Sequence, residues 1–282
     1  MMPFDRIDSA DDPRLADYRG VSDPALLRSR NLFVAEGRIV VTRLIEDGRW
    51  NLRSVLVSDA ARRDLEPTLA AVAGRVPIFV CEASDFLGIT GHDIHRGCLA
   101  LVERRPALPL DDVLVAARLA VVLEGVSNAD NVGGVFRNAA AFGADAVLLS
   151  PSCCDPLYRK AIRTSMGATL RVPFVQVEEW PAALVRLRGA GFRLVALTPR
   201  EPSEALDAFA SRPRGPKLAL LVGSEGPGLT AAVESAADDR VRIPIARGID
   251  SLNLAVATGI ALEQLTRIVR GRGILGAQET PE

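Results

Sequence analysis

Apolar positions recur along this chain with two different periods, and they predict elements of two kinds. The stretch "RNLFVAEGRIVVTRLIEDG" (30–48) predicts a helix, because Ile39, Val40, Leu44 and Ile45 return at helical spacing and Gly48 ends the run. "LRSVLVSD" (52–59) and "VPIFVCE" (76–82) predict strands, with an alanine- and leucine-rich helix around 65–72 between them. A short helix and the strand "GCLALVER" follow. Helix, strand, helix, strand, helix, strand is the order of a small α/β sandwich.

The periodicity breaks at "RRPALPLDDVLVAA", where Pro106, Pro109 and a charge cluster place a domain junction at 104–112. Beyond it, strands and helices alternate. "RLAVVLEGV", "DAVLLSP", "LRVPFVQV", "FRLVALTP", "KLALLVG" and "DRVRIPIA" predict strands. Several are near-continuous Val/Leu/Ile runs, as strands buried on both faces of a parallel sheet are. Pro173 makes the third of them short or places it at an edge. Helices are predicted after most of these strands, among them "PLYRKAIRTSMGA", "WPAALVRLRGAG", "TAAVESAAD" and a long final one from "SLNLAVATGIALEQLTRIVRG". The stretch 128–151, "NADNVGGVFRNAAAFGADAVLLSP", places a helix between two strands, with Arg137 as its lone cation.

Composition narrows the class. The chain has 282 residues, 48% hydrophobic and 24% charged, enough for two domains with real cores. No apolar run reaches the roughly 18 residues of a membrane helix. The opening "MMPFDRIDSADDPRL" carries early acids and no apolar core, so no secretory signal is expected. Cys81, Cys98, Cys153 and Cys154 form no C-x-x-C pair, which suits a reducing cytoplasm. His92 and His95 have only Asp93 nearby, too few ligands for a metal site, so no metal is expected. A net charge of −1 gives no global nucleic-acid signature. The run 158–171, however, carries Arg159, Lys160, Arg163 and Arg171 and no acid.

Ligands of open parallel sheets bind beyond the carboxyl ends of the strands. Three loops fall there: "SNADNVGG", "GSEGPGL" and "ARGIDSLN". None is a P-loop, and G-x-G-x-x-G fails at both Gly133–Gly134 and Gly223–Gly228, which removes the usual support for an ATPase or a dehydrogenase. Each loop also has a plain structural explanation. Its glycines can simply turn the chain. Ser251 can cap the last helix. Arg137 lies off the apolar stripe of its helix and can be merely solvated.

Taken together, the loops resemble the motifs of the SpoU (TrmH-like) family of RNA ribose methyltransferases, within the SPOUT superfamily. The first motif matches Asn131, Gly133, Arg137 and Ala139. The second matches Gly223, Glu225, Gly226 and Gly228. The third matches Ile243, Pro244, Ile245, Ser251, Leu252 and Asn253. Their order and approximate spacing fit over 119–270. Ile245 stands where many members have Met, a swap that a backbone contact tolerates. Residues 1–105 resemble the L30e-like RNA-binding domain of many members, through "RNLFVAEG" and "DIHRGCLA", where the family places His95 in a connector.

The resemblance implies an α/β chain: a parallel-sheet trefoil knot with a smaller N-terminal α/β sandwich. The implied boundaries are 1–105, a linker at 106–112, a catalytic domain over 113–275 and a tail at 276–282. It implies transfer of a methyl group from S-adenosylmethionine to a ribose 2′-hydroxyl, most often of guanosine in large-subunit ribosomal RNA. Transfer RNA, or an inactive RNA-binding module on the same scaffold, are the alternatives. Thr198, Gly223, Gly226, Ile243, Ile245 and Leu252 are then expected at the cofactor. Asn131, Arg137, Glu225, Ser251 and Asn253 are expected at the reacting ribose. A free guanidinium stays protonated, so Arg137 is expected to hold a phosphate or stabilise developing alkoxide charge rather than act as a base. Arg28, Arg30, Arg53, Arg159, Lys160 and Arg163 are the expected phosphate contacts. The expected assembly is a cytoplasmic homodimer.

Overall fold

The computed structural model describes residues 4–21, 23–91, 97–212 and 215–270. The His92–His95 stretch and the 276–282 tail lie outside the described residues. By their contacts the residues form two units. One runs to Pro106 and includes Pro156–Leu170; the other takes Ala107–Asp155 and the chain from Arg171.

The first unit holds strands β1 (Asp5–Arg6), β2 (Leu32–Glu36), β3 (Leu52–Ser58), β4 (Ile78–Cys81) and β5 (Cys98–Glu103). They form one mixed sheet in the order β1-β4-β3-β5-β2. β2 corrects the single helix expected over 30–48. "LFVAE" is an extended run buried at every position, paired antiparallel with β5 from Leu32↔Glu103 to Glu36↔Leu99. A short apolar run of this kind carries no period that separates strand from helix. The helix begins only at Arg38–Asp47, after Gly37, and ends at left-handed Gly48. It buries Val40, Val41, Leu44 and Ile45, whereas Ile39 is exposed. The helix expected around 65–72 is split into Asp59–Asp64 and Glu66–Ala70. One face of the sheet closes over Leu15, Tyr18, Leu56, Phe79, Phe86 and Leu99.

Pro156–Leu170 joins this unit, although the alternation along the sequence assigns it to the second. Its helix is short, Arg159–Thr164. Arg159 Nη1 donates to Glu36 Oε2 at 2.7 Å, and Arg163 Nη1 to Glu36 Oε1 at 3.4 Å. Trp50 Nε1 donates to Leu170 O at 3.0 Å, and Arg43 to Met166 O at 2.8 Å. Glu36 is 4% exposed, and a charge so buried requires a partner.

The second unit is a wholly parallel sheet of β6 (Leu119–Glu124), β7 (Ala146–Leu149), β8 (Phe174–Gln176), β9 (Arg193–Leu197), β10 (Glu204–Ala205), β11 (Leu218–Gly223) and β12 (Asp239–Arg242). The order is β10-β12-β9-β11-β6-β7-β8, so the strand after Pro173 is indeed short and at an edge. β10 was not expected; two residues carry no alternation to read. Helices Leu110–Ala116, Ala183–Gly189 and Ala231–Ala236 cover the face formed by Ala120, Val122, Leu148, Leu194, Ala219 and Leu221. The alternate residues are equally buried, under helices Ala129–Phe142 and Leu254–Arg270. Two covered faces explain the unbroken apolar strands.

These two helices touch closely. A Cβ at Gly134 would lie 2.6 Å from the Cβ of Ala255, so glycine is what lets the backbones approach. Asn138 Nδ2 donates to Ala255 O at 2.6 Å, and Thr266 Oγ1 to Phe142 O at 2.7 Å. At the far end Arg270 donates to Asp145, whose other oxygen accepts from the amides of Arg118 and Leu119.

Candidate active site

A cavity of about 630 Å³ opens beyond the carboxyl ends of β9, β11 and β12. This is where an open parallel sheet places its ligands. Leu197–Pro199 form one wall, and Val222–Gly226 with Gly228 a second. Arg242, Ile243, Ile245, the segment 250–254 and Ala257 complete it.

The second wall is shaped by its own return. A Cβ on Gly223 would sit 2.1 Å from the carbonyl carbon of Gly228 and 2.2 Å from the amide nitrogen of Leu229. Only glycine permits that turn, and Gly228 N donates to Ser224 O at 3.0 Å inside it. Glu124, at the end of β6, anchors the outgoing chain. Its carboxylate, 7% exposed, accepts from Thr230 N at 2.8 Å, Thr230 Oγ1 at 2.9 Å and Trp180 Nε1 at 2.8 Å.

The third wall leads into the Leu254–Arg270 helix. The residue that caps this helix is Asn253, not Ser251. Asn253 Oδ1 accepts from Ala255 N at 2.9 Å and Val256 N at 3.2 Å. Its Nδ2 donates to Oδ1 of Asn131 at 3.0 Å. Asn131 is 3% exposed, and its own Nδ2 has no partner among the described residues.

All six residues expected at a cofactor, Thr198, Gly223, Gly226, Ile243, Ile245 and Leu252, line this cavity. So do Glu225, Ser251 and Asn253. Asn131 joins the site through Asn253. Arg137 does not line the cavity; it is exposed on its helix, with no hydrogen bond or ion pair among the described residues. Sequence reasoning missed Arg242, Asp250 and Ser224 in the walls. It also missed the buried carboxylates Glu124 and Glu234, whose partners lie far away in sequence.

The expected phosphate contacts belong to the other unit. Arg30 faces Asp17 at 3.5 Å, and Arg53 faces Glu103 at 3.4 Å. The Arg159 side chain is 17% exposed and held by Glu36, so a phosphate would have to displace a buried carboxylate there. The Arg163 side chain is 49% exposed. Arg28 and Lys160 lie in the same unit.

A parallel α/β domain with a glycine-walled pocket beyond its strands fits a nucleotide-type ligand, and comparison with known proteins narrows the class to RNA-modifying methyltransferases. The SpoU rRNA methylase family model matches residues 118–263. An uncharacterized tRNA/rRNA methyltransferase of Mycobacterium bovis is 40% identical over 261 residues, 91% of this chain and 90% of that protein. The crystal structure of an AdoMet-bound rRNA methyltransferase from Sinorhizobium meliloti aligns with TM-score 0.80 at 26% identity, over 94% of this chain and 97% of that one. The SpoU methyltransferase AviRb from Streptomyces viridochromogenes aligns with TM-score 0.74 at 25% identity, over 92% and 98%. The chain belongs to the SpoU rRNA methylase family.

Proposed function

We propose that this protein methylates a ribose 2′-hydroxyl of RNA using S-adenosylmethionine, with guanosine in large-subunit ribosomal RNA as its target. The observation that carries this reading is the single cavity on which the second and third motif loops converge, tied to the first through Asn253 and Asn131.

The pocket fits the cofactor. Its volume lies within the range of small-molecule sites. Leu197, Val222, Ile243 and Leu252 offer apolar surface for a flat base, and Glu225 and Asp250 offer carboxylates for an amino group. Thr198, Gly223, Ile243 and Leu252 would hold it, largely through backbone groups. When bound, it supplies an electrophilic methyl group on a sulfonium.

The chain's own residues then position and stabilise. Most of the acceleration comes from holding the attacking oxygen in register. Ser251 and Glu225 orient the ribose, and Asn131 is fixed by Asn253. Arg137 holds the adjoining phosphate or stabilises negative charge on the oxygen. Its exposure suits contact with a large ligand laid across the helix rather than one enclosed in the cavity. The first unit, read as an L30e-like domain, supplies Arg28, Arg30, Arg53, Lys160 and Arg163 for phosphate contact. Val256 and Ile260, one turn apart and exposed on the last helix, favour a homodimer. The trefoil knot of SPOUT enzymes, with the chain around the last helix threaded through a loop, belongs to the same reading. So does a cytoplasmic location.

The test is methyl transfer from labelled S-adenosylmethionine to bulk RNA from a strain lacking the gene, with ribosomal and transfer RNA separated. Label in large-subunit RNA at one alkali-resistant linkage is the expected result. Label in transfer RNA alone would replace the substrate, and label on a base would overturn the ribose assignment.

A further inference from the structure

Arg200 lies just outside the cavity, beyond Pro199, and joins two of its walls. Its Nη1 donates to Leu229 O and to Glu234 Oε1, both at 3.1 Å, and its Nη2 donates to Pro227 O at 2.6 Å. Pro227 and Leu229 flank Gly228 in the glycine wall. Arg200's own amide donates to Thr198 Oγ1 at 3.2 Å, and that hydroxyl donates to Glu234 Oε1 at 3.0 Å. Glu234, 7% exposed, thus receives both an arginine from one wall and the hydroxyl of Thr198 beneath it.

Three acceptors on one guanidinium fix its plane. A planar fork can do this where an ammonium cannot. The loop 224–229 has no regular structure of its own beyond one isolated bridge, Ser224↔Gly228. Two of its carbonyls are drawn outward by Arg200, toward the Thr198–Arg200 segment. We propose that Arg200, seated on Glu234, is a positioning residue that sets the gap between the Thr198 wall and the glycine wall and so preorganises the cofactor pocket. Preorganisation lowers the ordering cost of binding without adding a contact to the ligand. Arg200 is therefore expected to act on cofactor affinity and not on the chemical step. This inference rests on the pocket being the S-adenosylmethionine site.

The test compares wild type, Arg200→Ala, Arg200→Lys and Glu234→Gln. It uses calorimetric titration with S-adenosylmethionine, steady-state methyl transfer, and hydrogen exchange at the Gly228 amide. Arg200→Ala should weaken binding roughly tenfold, the size of a lost charged hydrogen-bond set. It should raise KM in parallel and leave kcat at saturating cofactor within about threefold. Arg200→Lys should recover part of the affinity. Gly228 exchange should quicken in Arg200→Ala without any cofactor present. If Arg200→Ala does not fold, Glu234→Gln, which keeps the acceptor and removes the charge, should show the same pattern more weakly. Wild-type affinity with unchanged Gly228 exchange in the variants overturns the proposal, as does a fall in kcat with KM unaltered. Faster Gly228 exchange in a variant whose parent binds no S-adenosylmethionine would retain the clamp and overturn the cofactor assignment instead.

Discussion

Asn253 and Asn131 meet through opposite ends of their amides, Nδ2 of the first donating to Oδ1 of the second at 3.0 Å. The orientation follows from chemistry. Asn253 must turn its oxygen to the amides of Ala255 and Val256, so only its nitrogen is left to face Asn131. Asn131 must then present oxygen, which leaves its Nδ2 buried with no partner among the described residues. One helix cap thereby fixes the polarity of a side chain 122 positions away.

Replacing Asn253 by Ala removes the cap and strips Asn131 of its donor. Loss of the cap costs about 1 kcal/mol. Leaving Asn131 further unsatisfied adds about 1–3 kcal/mol. Asn253→Ser keeps a capping oxygen but is too short to reach Asn131, so it should retain the first contribution and lose the second. Urea denaturation of both variants against wild type separates the contributions; a variant that keeps the cap and has the wild-type midpoint would show that the Asn131 contact contributes nothing.

Gly134→Ala should destabilise the protein by about 1–3 kcal/mol through overpacking against Ala255, although alanine is intrinsically the better helix former by about 1 kcal/mol. Gly189 ends a helix with nothing within 4 Å of its missing Cβ. Gly189→Ala should therefore be neutral or slightly stabilising. Opposite signs in thermal unfolding would confirm that the packed helix pair, and not propensity, fixes Gly134.

Arg137→Ala should leave stability within about 0.5 kcal/mol, because an exposed residue without partners among the described residues contributes little to folding. Cofactor binding should also persist, since Arg137 does not line the cavity. Methyl transfer should fall by roughly 100-fold or more if the guanidinium stabilises charge in the transition state. Turnover near that of wild type would remove Arg137 from the reaction.

Arg159 and Arg163 should separate in experiment although they are one helical turn apart. Arg159→Ala uncovers buried Glu36 and should cost about 3 kcal/mol of stability. Arg163→Ala, at a half-exposed site with the longer contact to Glu36, should cost less stability than Arg159→Ala and reduce the salt slope of RNA binding by about 1. Salt titrations of RNA binding that give Arg163→Ala the wild-type slope would move the footprint elsewhere.

The second unit was legible because its central strands are buried on both faces and its loops carry the motif residues in order. β6, β7, β9 and β11 fall on the expected apolar runs, whereas β12 takes only Asp239–Arg242, the charged start of its predicted strand. β2 was hidden because five apolar-flanked residues merged with the helix that follows Gly37. The attachment of Pro156–Leu170 depends on Glu36, more than a hundred positions away, and no local period can report such a partner. Gly223 meets both expectations for the loop glycines: the loop's own return requires it, and it lines the cavity. Arg200 and Glu234 carried no signal, because an ion pair between a loop and a later helix has no spacing rule.

The Leu254–Arg270 helix is fastened near both ends to the same stretch of chain, by Asn131 at one end and Asp145 at the other, across separations of 122 and 125 residues. Contacts so distant along the chain bring no reward until the intervening loop has closed, which makes their formation slow. The third wall of the cavity is continuous with this helix. The pocket is therefore expected to assemble late in folding, and a ligand that fills it would select molecules in which the long-range docking is already complete.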